Sequence, residues 1–156
     1  MKKTILSALL LLCVSFSGFS QAYQTGIGFR GGLFNGLTIK HFVSSNTAFE
    51  TLISSRWRGI EFTELYEIHH QFADVSGLNV FYGVGAHLGF YNGDHTNWGT
   101  PGDQYTALGV DGILGLEYSF RELPINISLD WKPEYNISGY TGMWYDGGAF
   151  SIRYIF

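Results

Sequence analysis

The chain has 156 residues and a formal net charge of −4, with 14% charged residues, 17% aromatic residues, 21 glycines and three prolines. This length allows one domain. Disordered chains are poor in aromatic residues and rich in charge, so the composition excludes disorder. A soluble globular domain averages roughly 25% charged residues, so the composition is also unusual for a water-soluble protein. The negative charge, without a basic stripe, excludes nucleic acid as a partner.

The first 22 residues have the pattern of a removable export signal. Met1-Lys2-Lys3 is basic, an apolar run from Ile5 to Val14 follows, and Ser20-Gln21-Ala22 is a small-x-small cleavage site. The apolar run is too short to span a membrane as a helix. We therefore expect residues 1–22 to be removed, which leaves a net charge of −6. The single cysteine, Cys13, would leave with the signal, so the mature chain would have no disulfide and no thiol chemistry.

Apolar and polar residues alternate through the rest of the chain, and this period of two predicts strands. The alternation is clearest in four segments: 80–90, 108–120, 125–132 and 150–156. Four weaker strands are predicted before them, at about 24–32, 36–43, 48–58 and 60–72. Either Leu52 or Ile53 could face the apolar side of the third strand. Glu64 falls on the apolar face of the fourth strand, which leaves open a bulge or a shift in phase.

The eight predicted strands are joined by connections of two kinds. The connections at 44–47, 73–78 and 121–124 are short, whereas those around 92–104 and 138–147 are long. The short ones follow even-numbered strands and the long ones follow odd-numbered strands. This arrangement predicts an antiparallel up-and-down barrel with tight turns at one end and longer loops at the other.

Alternation alone does not say whether the apolar face points inwards, as in a soluble barrel, or outwards, as in a transmembrane barrel. The polar face carries mostly glycine, serine and charges of both signs, which suits the crowded interior of an eight-stranded barrel. Aromatic residues collect near both strand ends, as in the girdles of membrane barrels; Phe120 and Phe90 are examples. We therefore predict an all-β fold for residues 23–156: an eight-stranded antiparallel up-and-down transmembrane β-barrel.

The last strand carries the sharpest motif, an alternating segment over 148–156 that ends in Tyr154 and Phe156. With the export signal and the eight alternating strands, it makes the chain resemble the small outer-membrane β-barrel superfamily, which includes the opacity-type proteins and the transmembrane domain of outer-membrane protein A. The resemblance covers about residues 23–156. It implies outer-membrane lipids as the surroundings, and the barrel-assembly machinery and periplasmic chaperones as partners during biogenesis. Tyr154 and Phe156 would be the assembly signal, although the glycine usual in the family is Ser151 here.

A set of charged residues falls on the inward face of the predicted strands. These residues could form a narrow ion path, or they could fill the interior and neutralise one another. The small diameter of an eight-stranded barrel and the cost of an unpaired buried charge favour filling. The predicted lumen charge network consists of Arg30, Lys40, Glu61, Glu67, Asp111, Glu117, Asp130, Lys132 and Arg153, with Glu50, Arg56 and Glu134 on the same face.

The histidines do not predict a metal site or a catalytic site. His69 and His70 are adjacent and would point to opposite faces of a strand, and His69 and His87 would differ in depth by roughly 16 Å. We therefore predict no metal and no cofactor. A nucleophile, a base and an orienting acid cannot be placed together near the loop-side rim, so we also predict that the protein is not an enzyme.

The two long loops are the remaining candidates for function. Their aromatic residues are of types common both in binding surfaces and at membrane interfaces: Trp98, Tyr140, Trp144 and Tyr145. The sequence thus predicts a monomeric, non-enzymatic outer-membrane barrel that is structural or contacts an extracellular ligand through its loops. A narrow pore, an outer-leaflet lipid-modifying enzyme and a soluble ligand-binding barrel are the alternatives.

Overall fold

The structure, a computed structural model, describes residues 23–156. The predicted signal, residues 1–22, lies outside the described residues, and so does Cys13. All regular elements of the described part are strands, and the prediction of an all-β, eight-stranded antiparallel barrel is confirmed. Within the described part, no helix has the length and apolar character needed to cross a membrane.

The described part contains ten strands, of which β7 and β8 together form one stave of the barrel and β9 is a short addition. Their bounds are β1 (Thr25–Gly32), β2 (Asn35–Phe42), β3 (Thr47–Arg56), β4 (Gly59–Gln71), β5 (Leu78–Asn92), β6 (Gln104–Ser119), β7 (Ile125–Trp131), β8 (Glu134–Ser138), β9 (Gly142–Trp144) and β10 (Gly148–Ile155).

The barrel closes through β10. Strands β1 to β7 pair antiparallel in chain order, and β10 then pairs with β7 on one side and with β1 on the other. At the turn end of this seam, the Thr25 N–H donates to the Phe156 carbonyl and the Phe156 N–H donates to the Thr25 carbonyl, both at 2.9 Å. Closure leaves no free sheet edge in the barrel wall.

The seventh stave is interrupted at Lys132 and Pro133, because proline has no N–H to give to a ladder. The Gly112 N–H donates to the Pro133 carbonyl at 2.9 Å, so β6 bridges the interruption. Beyond it, β8 pairs with β6 and with β9. The segment 138–147, predicted as a loop, therefore contains half of a short hairpin.

The barrel wall is uneven in height. β5 and β6 have 15 and 16 residues, whereas β1, β2 and β10 have eight residues each. The β5–β6 ladder accordingly joins 15 residue pairs, and each ladder that holds β10 joins seven. The wall is tall on one side and short on the side where it closes.

Apolar side chains face outwards and charged side chains face inwards. Val84 in β5 is 66% exposed, whereas Lys40 in β2 is 0% exposed. The two positions left open by the sequence follow the same rule. Leu52 points inwards and Ile53 outwards, while Glu64 stays on the outer face, where it accepts a hydrogen bond from Thr51 at 2.7 Å. The ladders on both sides of β4 run past Glu64 without a break, so this strand has neither the bulge nor the phase shift.

Candidate functional site in the barrel interior

Glycines on the inward face make room for large side chains from the neighbouring strand. A Cβ atom at Gly115 would lie 2.5 Å from the ring of Phe81, and one at Gly109 would lie 2.5 Å from Cε1 of His87. Both distances are too short for real contacts. The glycines of β6 thus let a phenyl ring and an imidazole enter the lumen.

The lumen near the short turns is filled by a group of buried charges around Lys40. The Lys40 Nζ lies 2.8 Å from Glu67, 3.2 Å from Glu50 and 3.5 Å from Glu117. His69 lies between two of the same carboxylates, 3.0 Å from Glu67 and 3.2 Å from Glu117. The turn-side cluster, as we call it, consists of Lys40, Glu50, Glu67, His69, Glu117 and Arg153.

Arg153 ties this cluster to the surrounding strands. Its guanidinium forms an ion pair with Glu50 and donates hydrogen bonds to Thr38 at 2.9 Å, Ser128 at 2.9 Å and Asn126 at 3.1 Å. A buried guanidinium is tolerated only when its donors and its charge are satisfied in this way. The turn-side cluster is therefore a plug built from charges of both signs.

A layer of four apolar side chains lies above this plug. It consists of Leu52, Leu65, Phe81 and Ile113, all buried. On β4, Leu65 lies between the inward residues Glu67 and Glu61, so the layer separates two charged regions of the lumen. The Lys40 ammonium lies 4.0 Å from the centre of the Phe81 ring, which joins the layer to the turn-side cluster.

A second group of buried charges lies on the loop side of this layer, around Lys132. The Lys132 Nζ pairs with Glu134 and lies 3.0 Å from Asp111 and 3.6 Å from Glu61. Asp111 also contacts His87 Nδ1 at 3.0 Å. We call Glu61, His87, Asp111, Lys132 and Glu134 the loop-side cluster. It has three carboxylates and one lysine, whereas the turn-side cluster has three carboxylates, one lysine and one arginine.

An Arg–Asp pair stands apart from both clusters. Arg30 in β1 donates two hydrogen bonds to Asp130 in β7, at 2.5 and 2.6 Å, and both side chains are buried. This geometry is the bidentate one that gives Arg–carboxylate pairs their strength. All nine residues of the predicted lumen charge network thus lie in the interior, where the structure assigns each of them a partner.

Aromatic rings cover the loop-side mouth of the barrel. Phe34, which is buried, lies 5.2 Å from the Lys132 Nζ and 6.2 Å from the ring of Trp144. Tyr91 donates a hydrogen bond to Glu61 at 2.7 Å and its ring contacts three tryptophans. The aromatic cap, as we call it, consists of Phe34, Trp57, Tyr91, Trp98, Tyr105, Tyr140 and Trp144.

Arg56, at the loop-side end of β3, fastens the cap to the loop that follows β9. Its guanidinium lies 4.0 Å from the ring centre of Trp57, and it pairs with Asp146 at 2.6 and 3.0 Å. The hydrogen bonds from Arg56 hold the pKa of Asp146 below its ordinary value. The segment that follows β9 is therefore held against the β3–β4 turn by a charged pair.

The predicted surface-loop residues divide between the cap and the outside. Trp98, Tyr140 and Trp144 pack in the cap, with centroids 5.0 Å apart for Trp98 and Tyr140. Tyr145 makes no ring contact with the cap among the described residues and is 64% exposed. Tyr91 joins the cap without having been a predicted site residue, although the alternation of β5 places it on the inward face.

The opposite mouth, at the short turns, holds an open cavity of about 640 Å³. Tyr23, Phe42 and Arg121 line it, and His69 and Glu117 of the turn-side cluster form its floor. The cavity therefore ends at the charged plug.

One set of three side chains in the described part could hold a metal ion. Ligand atoms of Glu61, His87 and Glu134 lie within 4.8 Å of one another. The period of two along a single strand does not predict this set, because its three members lie on different strands, β4, β5 and β8.

No protein-family model, no curated protein and no solved structure matches this chain.

Proposed function

We propose that this chain is a non-enzymatic, monomeric integral β-barrel of a bacterial outer membrane, with a filled interior and a surface for contacts at its loop end. The observation that carries the proposal is the inverted distribution of side chains. Aliphatic and aromatic residues cover the outside of every stave, while carboxylates and ammonium groups are buried. An exposed apolar belt of this extent is unfavourable in water and favourable in a bilayer.

The closed hydrogen-bond network supports the same proposal. In hydrocarbon, each backbone N–H and C=O group must find its partner within the protein. The barrel meets this requirement in its wall because β10 joins β7 to β1. The outward Tyr154 and Phe156, at the end of the closing strand, are the residues we propose as the signal read by the assembly machinery.

The contents of the lumen support a structural role rather than conduction or catalysis. Two charged clusters and an apolar layer fill the path between the two mouths. Near the loop-side rim, the Ser55 hydroxyl donates to the Gly59 carbonyl at 2.8 Å and so is held by the backbone rather than by a base. At the loop end, exposed Tyr140 and Tyr145 are available for an extracellular ligand.

Depth-dependent fluorescence quenching tests the membrane proposal. Single cysteines are introduced in a Cys13→Ala background at Val84, Leu114 and Leu129, which are all exposed on the apolar belt. The labelled proteins are reconstituted with lipids brominated on the acyl chains. We expect strong quenching at all three positions.

Control labels at Ser45, in a turn, and Asp94, in a loop, should remain unquenched, because both lie beyond the belt. The folded fraction of each variant is checked by the shift of the unheated band in a detergent gel. Absence of quenching at the belt positions of folded protein would contradict insertion in a bilayer.

A further inference from the structure

The loop-side cluster contains a set of side chains with the composition of a metal site. Glu61 of β4, His87 of β5 and Glu134 of β8 are all buried, and one ligand atom of each lies within 4.8 Å of the others. A tetrahedral zinc ion with ligands at about 2.0–2.2 Å holds its ligand atoms about 3.3–3.6 Å apart. The three ligand atoms therefore need to approach one another by at most about 1.5 Å to surround an ion.

The orientation of His87 fits a ligand. Its Nδ1 lies 3.0 Å from Asp111, which fixes the ring and places the proton of a neutral imidazole on Nδ1. Its Nε2 would then carry a lone pair, yet it lies 3.1 Å from the Asn136 Oδ1, which is also an acceptor. A cation bound to both atoms at about 2.0–2.2 Å removes the conflict, as does a second proton on His87.

A buried oxygen beside His87, the Oε2 of Glu134, lacks a hydrogen-bond partner among residues 23–156. Leaving a buried carboxylate oxygen without a donor is unfavourable, so such an atom calls for a cation or a proton. The unpartnered oxygen belongs to one of the three candidate ligands.

The charge of the cluster gives an independent reason. Glu61, Asp111 and Glu134 bring three negative charges, and Lys132 brings one positive charge. A buried excess of two negative charges is costly. A divalent cation would balance it, while Lys132 continues to hold the other Glu134 oxygen and Asp111.

We propose that Glu61, His87 and Glu134 bind one zinc ion in the lumen, with Asn136 as a neighbouring oxygen donor and Asp111 positioning His87. One imidazole nitrogen with carboxylate oxygens is a donor set that suits zinc, whereas magnesium and calcium prefer oxygen ligands alone. The inference rests on the interior geometry and not on the membrane proposal. The alternative is that protons on His87 and on a glutamate balance the charge.

Metal analysis of the full chain, purified in detergent and treated with a chelator, tests the proposal. Because the aromatic cap covers the mouth, the protein is unfolded and refolded with and without Zn²⁺, and free metal is then removed. We expect one zinc per chain and a higher urea midpoint after refolding with Zn²⁺. Co²⁺ in place of Zn²⁺ should give visible absorption bands of a bound ion.

The variants His87→Gln and Glu134→Gln should lose the bound metal. His69→Gln is the matched control, because His69 is also buried between carboxylates but lies in the turn-side cluster. It should keep one zinc per chain. Each variant is first shown to fold by the detergent-gel shift, and Glu134→Gln keeps the shape of the side chain if His87→Gln does not fold.

Two outcomes overturn the proposal. Folded wild-type protein that retains no zinc shows that protons balance the cluster. Zinc that survives both His87→Gln and Glu134→Gln shows binding elsewhere, for example at the exposed His41, His70 or His95.

Discussion

The Arg30–Asp130 pair provides a quantitative test of how far water is excluded from the barrel interior. Both side chains are almost fully buried, with exposures of 1% and 0%, and they share two hydrogen bonds at 2.5 and 2.6 Å. The perturbation is a double-mutant cycle with Arg30→Met, Asp130→Leu and the double variant. Each single change leaves one charge in the lumen without its partner.

The structure sets the expected magnitudes. Removing one partner of a fully buried ion pair costs roughly 3–5 kcal/mol, because the remaining charge is uncompensated. Replacing both partners by apolar groups is about neutral or stabilising. We therefore expect each single variant to lose about 3–5 kcal/mol of unfolding free energy and the double variant to recover most of that loss.

Urea unfolding in detergent micelles, followed by the circular dichroism of the strands, measures these differences. Asp146→Leu is the matched control, because the Arg56–Asp146 pair has the same bidentate geometry but exposures of 13% and 47%. Exposed pairs contribute roughly 0.2–1 kcal/mol, so this variant should change stability little.

Two results would refute this reasoning. If Arg30→Met and Asp130→Leu each cost no more than Asp146→Leu, then water solvates the interior pair. If the double variant loses as much as the two single variants together, then the two charges are not coupled across the lumen.

Two further predictions concern the glycine beside His87 and the charged pair that fastens the cap. Gly109→Ala places a Cβ 2.3 Å from the Tyr135 carbonyl oxygen and should lower the free energy of unfolding in urea by about 1–3 kcal/mol. Gly148→Ala is the control and should leave this free energy unchanged, because a Cβ there has no atom within 4 Å. Equal effects of the two changes would contradict the close approach at Gly109. Because the folded pKa of Asp146 is lowered, its pair with Arg56 stabilises the cap above the unfolded pKa and is lost as the pH falls through the folded one. Tryptophan fluorescence of the cap should therefore stay constant from pH 7 to about 4 and change below pH 4. The variant Asp146→Asn should not show this change. A fluorescence transition that persists in Asp146→Asn would show that another group titrates.

The fold was predictable because the two faces of each stave differ so strongly in polarity. The alternation in 80–90 and 108–120 corresponds to β5 and β6. β5 extends beyond the predicted strand at both ends, over 78–92, whereas β6 begins four residues earlier than predicted and ends one residue earlier, over 104–119. The interruption at Pro133 was not predictable as part of a stave. Proline normally ends a strand, and only the Gly112 N–H on the neighbouring strand keeps the ladder continuous.

The partners within the interior could not be predicted, although the inward positions could. The period of two along one strand determines which side chains face inwards. Which inward side chains contact one another depends on the tilt and stagger of all the staves. Arg30 reaches Asp130 across β10, because its own neighbours in the ladders are Gly36 and Ser151. The cap was missed for the same reason, since Trp57 and Trp98 meet only after the barrel has closed.

The uneven wall has a mechanical consequence. The two ends of the described segment, residues 23–156, lie side by side, joined by hydrogen bonds between Thr25 and Phe156. Tension applied to these ends therefore acts on the β1–β10 ladder one residue pair at a time, starting from the turn end. This ladder joins only seven residue pairs. The 15-pair β5–β6 ladder lies on the far side of the barrel and is not loaded until the closing strand has peeled away. Under force, the molecule should open along β10 and keep its tall side as the last intact sheet.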